Sequence, residues 1–290
     1  MIDDAYRRCL DLASAHYENF PVASRLLPAA ARPHVAAVYA FARVADDFAD
    51  EGDRPVAERL SLLDDWSHRL QAAAAGHPLP GHGDAGTIFV ALADTMRRYQ
   101  LEVTLFDDLL SAFRQDVTVT RYETWRDLLD YCRRSANPVG RLVLRLFGRR
   151  EPQLDGWSDD VCTALQLTNF WQDLAIDWSR GRLYVPLETV LRAGAEEADL
   201  SARRLTPQWR DALAACAAET RARFDAGRPI ADAVSGRLRW ELRATWLGGV
   251  RILDRLERSG FDVFRARPAL GWSDAAAIGT HTLFWTRRDA

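Results

Sequence analysis

The stretch Tyr39–Asp53, YAFARVADDFADEGD, joins two kinds of surface. Its first half is as apolar as a buried helix, and then Asp46, Asp47, Asp50, Glu51 and Asp53 follow in quick succession. On a helix, residues four apart lie one turn above each other, so Asp46 and Asp50 share a stripe with Tyr39 and Arg43. Two carboxylates at that spacing repel unless a cation or solvent screens them. Taken alone, the run also reads as a solvated helix end, with Arg43 and Arg54 offsetting the charge.

A second stretch, Leu165–Pro186, LQLTNFWQDLAIDWSRGRLYVP, repeats the pattern. Asp173 and Asp177 are again four apart, and Gln166 and Asn169 extend their stripe over three turns. The flanking residues Leu165, Leu167, Phe170, Trp171, Leu174 and Ile176 read as core. A polar stripe on a helix otherwise surrounded by apolar residues is costly unless it faces something polar. A cavity holding cations meets that requirement. Carboxylate oxygens are hard ligands suited to Mg²⁺, which is commonly shared between carboxylates and a substrate's phosphates. Two such stripes on facing helices would bracket a diphosphate. Neither carries the Glu-x-x-His of a di-iron bundle. Arg43, one turn before Asp46, and Arg180 and Arg182, just after Asp177, can bind phosphate bidentately. Each can equally serve as a surface ion-pair partner.

The remainder of the chain fits a helical frame around these stripes. Its 290 residues are 48% hydrophobic and 27% charged, which suits a globular protein with a substantial core. The net charge of −3 offers no basic field, so no nucleic-acid partner is expected. No apolar run reaches the roughly 18 residues of a membrane span, and the start, MIDDAYRRCL, is too acidic for a signal peptide. Cys9, Cys132, Cys162 and Cys216 are scattered and read as buried free thiols in a reducing cytoplasm. Ala, Leu and Arg favour helix. Helices are expected near 3–20, 33–50, 55–76, 86–100, 104–115, 123–134, 138–148, 158–178, 207–226 and 230–259. Strand patterns are nearly absent; DVTVTRY alternates but is short and isolated. The expectation is one all-α domain spanning residues 1–290. GHGDAG, residues 81–86, matches a dinucleotide fingerprint letter for letter. It follows a helix end and a proline loop rather than a strand, so it reads as a plain loop.

The stretches YAFARVADDFAD and LQLTNFWQDLAIDWSRGRLYVP resemble the two aspartate motifs of the squalene/phytoene synthase family, and the resemblance covers most of the chain. It implies a single-domain isoprenoid-synthase helical bundle around a central cavity, with Mg²⁺ (or Mn²⁺) bound alongside a diphosphate. Carried over by motif position, it implies that Asp46, Asp50, Asp173 and Asp177 are the metal ligands and catalytic residues, joined by Asn169. Arg43, Gln166, Arg180 and Arg182 would bind the substrate diphosphate. Within the family, HYENFPVASRLLP, the FADEGD tail and CRRSANPVGRLVL resemble the hydroxysqualene synthase subgroup of hopanoid biosynthesis.

Two departures stand out. Members that condense two farnesyl diphosphates usually carry Y-C-x-Y-V-A-G-x-V-G, and here the run is YCRRSANPVG, residues 131–140. The second tyrosine becomes Arg134 and the small glycine becomes Asn137. Arg134 is expected at the cavity wall as a catalytic residue. It would stand at a helix break, with Ser135 or Asn137 capping the next helix and Pro138 in its first turn. Near the C-terminus, the tyrosine often found in the last family helix falls at Gly249, and either Arg265 or Arg267 would be the phosphate-side arginine. The implied reaction is conversion of presqualene diphosphate to hydroxysqualene, without NADPH. Related alternatives are presqualene diphosphate synthase, dehydrosqualene or phytoene synthase, and squalene synthase. A non-catalytic lipid- or metal-binding helical protein is a different class. The expected location is the cytoplasm, peripheral at the inner face of the membrane, with contacts to neighbouring pathway enzymes.

Overall fold

A computed structural model describes residues 2–15, 28–50, 52–81 and 83–285. Most of HYENFPVASRLLP, residues 16–27, lies outside the described residues. Among those described, helices account for all the regular structure, and the chain clusters into two compact units.

The first unit comprises Met1–Val119 and Arg134–Asp155. Its helices are α1 (Ile2–Ala15), α2 (Arg32–Asp50), α3 (Val56–Ala74), α4 (Asp84–Tyr99) and α5 (Val103–Asp116). It also takes in the end of α6 (Trp125–Ser135), all of α7 (Asn137–Leu146) and the start of α8 (Pro152–Ser179). Phe41, Trp66, Phe89 and Phe106 are fully buried at its centre, at edge-to-face and stacked ring contacts of 4.6–6.0 Å. Burying side chains of this size contributes roughly 1.5–3 kcal/mol each. The Trp66 indole N–H donates to the Phe41 carbonyl at 3.2 Å, so its one polar atom is matched.

Where α1, α2 and α4 meet, polar groups are buried together. Tyr6 donates to Asp94 Oδ2 at 2.8 Å, and His34 Nδ1 lies 3.0 Å from both the Tyr6 oxygen and Thr95 Oγ1. His34 and Thr95 are buried, so this knot must be internally satisfied to be tolerated.

The second unit comprises Thr120–Arg133 and Gly156–Ala290. It takes the rest of α6 and α8, then α9 (Leu187–Ala193), α10 (Glu197–Ser201), α11 (Pro207–Gly227), α12 (Ile230–Ala233), α13 (Gly236–Arg258) and α14 (Trp272–Leu283). Trp171, Trp209 and Phe224 anchor its core, and Trp171 Nε1 donates to Thr220 Oγ1 at 2.9 Å. Helix α11 approaches α8 so closely at Gly227 that a Cβ would sit 2.7 Å from the Trp157 carbonyl. At Gly249, a Cβ would meet Leu165 Cδ2 and the Phe224 ring at 2.6 Å. The family tyrosine expected at that position has no room because those two side chains fill it.

The expected helices are present, with three kinds of difference. Helix α8 starts at Pro152 rather than 158, continuing through Gly156. The expected 230–259 helix is two, because Val234 is extended and Gly236 takes φ +64°. The short α9 and α10 and the terminal α14 carried no helical signal long enough to read. DVTVTRY contributes only an isolated parallel bridge, Arg121 to Leu183. GHGDAG is not wholly the expected loop: Asp84–Gly86 form the first turn of α4 with Gly83 at its N-cap, no strand precedes them among the described residues, and Gly81 and Gly86 pack backbone to backbone.

Burial, reinforced by the Arg98 charge, holds the His34 pKa below its ordinary value although Asp94 pulls the other way. The folded state therefore keeps His34 neutral while the unfolded chain accepts a proton near pH 6.5. The stabilising contribution is complete above that pH and is lost as pH falls towards the lower folded-state value. The urea midpoint of the wild type should drop more steeply from pH 7 to 5 than that of His34→Asn; equal slopes would show that His34 carries no such linkage.

Candidate functional site

The first stripe occupies the last turns of α2, in the first unit. Phe41, Ala45 and Ala49 turn into the core, while Arg43, Asp46 and Asp50 are half-buried. The Arg43 guanidinium lies 2.6 Å from Asp47 Oδ1 and 3.7 Å from Asp46 Oδ2. It thus favours a neighbour off the predicted stripe. Burial raises the Tyr39 hydroxyl pKa one turn earlier. Where α2 ends, Arg59 of α3 donates to the carbonyls of Ala49, Gly52 at 2.6 Å and Arg54 at 3.0 Å. It satisfies acceptors that a helix C-terminus leaves open and so fixes the turn beside Asp50. Spacing within α2 could not point to Arg59, which comes from the next helix.

The second stripe runs along α8 in the second unit. Leu167, Phe170, Trp171 and Leu174 are buried, Gln166, Asp173 and Asp177 are half-buried, and Asn169 is exposed. Ile176, expected as a core flank, is instead 42% exposed. Arg267 clasps Asp173, with Nε donating to Oδ1 and Nη2 to Oδ2. The preceding Gln172 donates Nε2 to the Pro268 carbonyl at 2.5 Å. The chain at 267–268 is thereby laced to two successive residues of α8. Of the two C-terminal arginines in question, Arg267 is the one whose guanidinium meets the aspartate pair.

Helix α8 ends in a turn that Gly181 closes with φ +77°, a conformation few other residues adopt cheaply. The Asp177 carbonyl accepts from the Arg180 and Arg182 amides at 3.0 and 2.8 Å. Arg180 is exposed and Arg182 half-buried. Arg121, not singled out from sequence, organises this turn. It makes two 3.0 Å bonds to Glu197, donates to the Gly181 carbonyl at 2.6 Å and lies 5.1 Å above the Trp178 ring. Its signal was the alternation of DVTVTRY, whose partner segment has no strand character of its own.

An aromatic cluster lies in the same unit. Phe170 and Tyr184 stack at 3.8 Å, and Tyr131 lies 6.1 Å from both. Tyr122 stacks on Tyr184 at 5.7 Å. Tyr131 opens YCRRSANPVG. The helix break within that run is present, with α6 ending at Ser135 and Pro138 in the first turn of α7. The cap differs from expectation: Ala136 takes the N-cap position without a side-chain cap bond, and Asn137 is the first residue of α7. Arg134, in the first unit, donates to Ser111 Oγ at 2.8 Å and to Gln115 Oε1, both on α5.

Each aspartate pair supplies two hard oxygen donors. Among the described residues, no group of three or more His, Cys, Asp or Glu converges to hold a metal ion. Such a donor set fits Mg²⁺, which keeps waters and takes further ligands from phosphate, and does not fit a closed zinc site. The family resemblance gives this role to Asp46 and Asp50 on α2 and to Asp173 and Asp177 on α8.

A model of squalene/phytoene synthases matches residues 13–274. The chain belongs to the squalene/phytoene synthase family. It is 38% identical over 207 residues to hydroxysqualene synthase of Zymomonas mobilis, covering 70% of this chain and 66% of that protein. It is 30% identical to phytoene synthase of Arthrospira platensis, covering 91% of this chain and 87% of that one. The crystal structure of squalene synthase HpnC from Alicyclobacillus acidocaldarius superposes with a TM-score of 0.83 at 38% identity, covering 90% of this chain and 95% of that chain. The chain is accordingly an enzyme of a prenyl diphosphate family with the all-α isoprenoid-synthase fold.

The clasp on Asp173 is a positive charge already seated on a candidate metal ligand. An ion pair as exposed as this one is worth about 1 kcal/mol, or roughly fivefold in an equilibrium. Without substrate, Arg267→Ala should therefore bind Mn²⁺ about fivefold more tightly in an electron paramagnetic resonance titration. Unchanged or weaker binding would show that Arg267 and the metal do not compete.

Proposed function

We propose that this chain is a hydroxysqualene synthase, converting presqualene diphosphate and water to hydroxysqualene and diphosphate. The reading is supported by hydroxysqualene synthases at 38% and 35% identity. The observation that carries it is Arg134, a guanidinium held by Ser111 and Gln115 where condensing relatives resemble one another in having a tyrosine. A fixed positive charge there is a poor neighbour for a second allylic cation. It is a good one for a phosphate or for the water that ends the reaction.

In the proposed reaction, the family resemblance assigns Asp46, Asp50, Asp173 and Asp177 to the substrate's diphosphate. Bound Mg²⁺ would supply Lewis-acid neutralisation of the departing diphosphate. Arg43, Gln166, Arg180 and Arg182 bind its oxygens, and Arg267 gives up Asp173 to bind them too. The carbon–oxygen bond breaks with its electron pair leaving on the diphosphate. The cyclopropylcarbinyl cation rearranges, and aromatic faces tolerate its charge. Water adds through its oxygen at a position Asn169 can orient, and the released proton goes to diphosphate or solvent. The sequence is redox-neutral, so no NADPH enters. A second reading, condensation of two prenyl diphosphates, is favoured by the alignment to phytoene synthase over 91% of the chain.

Presqualene diphosphate offered without NADPH in ¹⁸O-water should give a C30 alcohol carrying the label. Squalene formed only with NADPH, or rapid condensation of farnesyl diphosphate, would replace this reading by one of the others. No diphosphate release from any prenyl substrate would point instead to a binding protein.

EDTA should abolish turnover. Asp46→Ala, Asp50→Ala, Asp173→Ala and Asp177→Ala should each lower it by about a hundredfold or more, the scale of several kcal/mol of lost charge stabilisation. Arg134→Ala should impair turnover far beyond its effect on the melting temperature, and normal kinetics in that variant would remove Arg134 from the reaction. Circular dichroism checks that each variant keeps its helices.

A further inference from the structure

The last helix, α14, presents an outward face unlike a water-exposed one. Trp272, Ala276, Gly279 and Leu283 fall on one stripe, roughly 16 Å long at 1.5 Å per residue. All four are exposed, Trp272 at 94% and Leu283 at 68%, and Phe284 just beyond is 75% exposed. Leu270, two residues before Trp272, is 44% exposed. In a chain that is 27% charged, the only charged side chain on this helix is Asp274, and it is buried.

The helix is fastened at both ends from beneath. Asp274 accepts from Arg251 at 3.0 Å, from Arg255, and from the Gly271 amide at 2.8 Å. The Gly271 amide and the two guanidiniums hold its carboxyl down to about 2, so this fastening persists at any working pH. Beyond the C-terminal end, Trp285 sits between two guanidiniums, with Arg228 4.6 Å and Arg243 5.1 Å from its ring centroid. The fold therefore holds this helix rigidly while leaving its apolar stripe uncovered.

Charge decides what covers it. Residues 236–285 carry eight Arg against five Asp and Glu, a local excess of +3 in a chain whose net charge is −3. Arg251 and Arg255, which flank α14 from α13, are themselves partly exposed, and Arg265 lies exposed in the segment leading to Leu270. Two copies of this face would bring positive surfaces together. An anionic bilayer instead meets the arginines with lipid phosphates and takes Trp272, Leu283 and Phe284 into the boundary between headgroups and acyl chains, where tryptophan is favoured.

We propose that α14 and the arginines beside it form a docking face for an anionic phospholipid bilayer, with Trp272, Leu283 and Phe284 as its apolar anchors. This does not depend on which prenyl diphosphate reaction the enzyme performs. It does explain how a helical protein with no membrane-spanning helix among its described residues can exchange long-chain lipids with a membrane.

The test is co-sedimentation of the full chain with vesicles of phosphatidylcholine containing 30% phosphatidylglycerol, and with phosphatidylcholine alone. The wild type should bind the anionic vesicles at low salt, bind neutral ones much less, and dissociate as salt rises. Trp272→Ser and the Leu283→Ser, Phe284→Ser pair should each lower the partition coefficient at least fivefold with unchanged melting temperature, and Trp272→Phe should retain most of it. Equal binding by all variants, no binding by the wild type, or equal binding to neutral vesicles would overturn the proposal. So would a dimer, measured by light scattering, that the same substitutions dissociate.

Discussion

A carboxylate on a packed helix is costly unless its charge is matched, and the ion pairs among the described residues match it with arginine. All 38 basic side chains are Arg, with no Lys. A guanidinium is planar, permanently charged and forked, so it can bind two carboxylate oxygens at once and reach from one element to another. Arg145 to Asp155 and Glu102, Arg251 and Arg255 to Asp274, Arg121 to Glu197 and Arg267 to Asp173 are all pairings of this kind. They set where helix ends and connecting turns lie within each unit.

Burial divides these pairs into two groups with different uses. Arg145 and Asp155 are only 8% and 13% exposed, and removing Arg145 would strand the Asp155 charge at a cost of about 3–5 kcal/mol. Such a pair is a fixed part of the frame. The pairs on the two aspartate stripes are more open, and pairs of that kind are worth at most about 1 kcal/mol. They can be exchanged for stronger partners. Arg43 and Arg267 therefore keep the acidic stripes neutralised in the free protein without locking them, which suits residues whose proposed task is to receive a highly charged ligand.

The aromatic side chains divide in a similar way. Phe41, Trp66, Phe89, Phe106, Trp171, Trp209 and Phe224 are core, their polar atoms matched where they have one. Tyr122, Tyr131 and Phe170 are equally buried and, with Tyr184, form a cluster that shares α8 with the second stripe and meets Trp171 through Phe170. Trp272 belongs to neither group, and only its exposure distinguishes it from the rest.

The amino-acid order by itself determined the helical class, both aspartate stripes and the family, because a 3.6-residue period and i,i+4 spacing are local properties that survive in a one-dimensional string. The helix break at Pro138 was legible for the same reason. The tertiary structure decided which guanidinium meets which carboxylate. Arg43 turns to Asp47 rather than Asp46, Arg267 rather than Arg265 reaches Asp173, and Arg59 and Arg121 brace the turns after the stripes from elements that spacing cannot connect to them. It also decided that Leu165 and Phe224 fill the space beside Gly249 where the resemblance led to a tyrosine, and that α14 shows its apolar stripe to the outside. Those outcomes depend on distances between segments far apart in the chain, and an isolated residue's chemistry does not specify which distant neighbour will come within 3 Å of it.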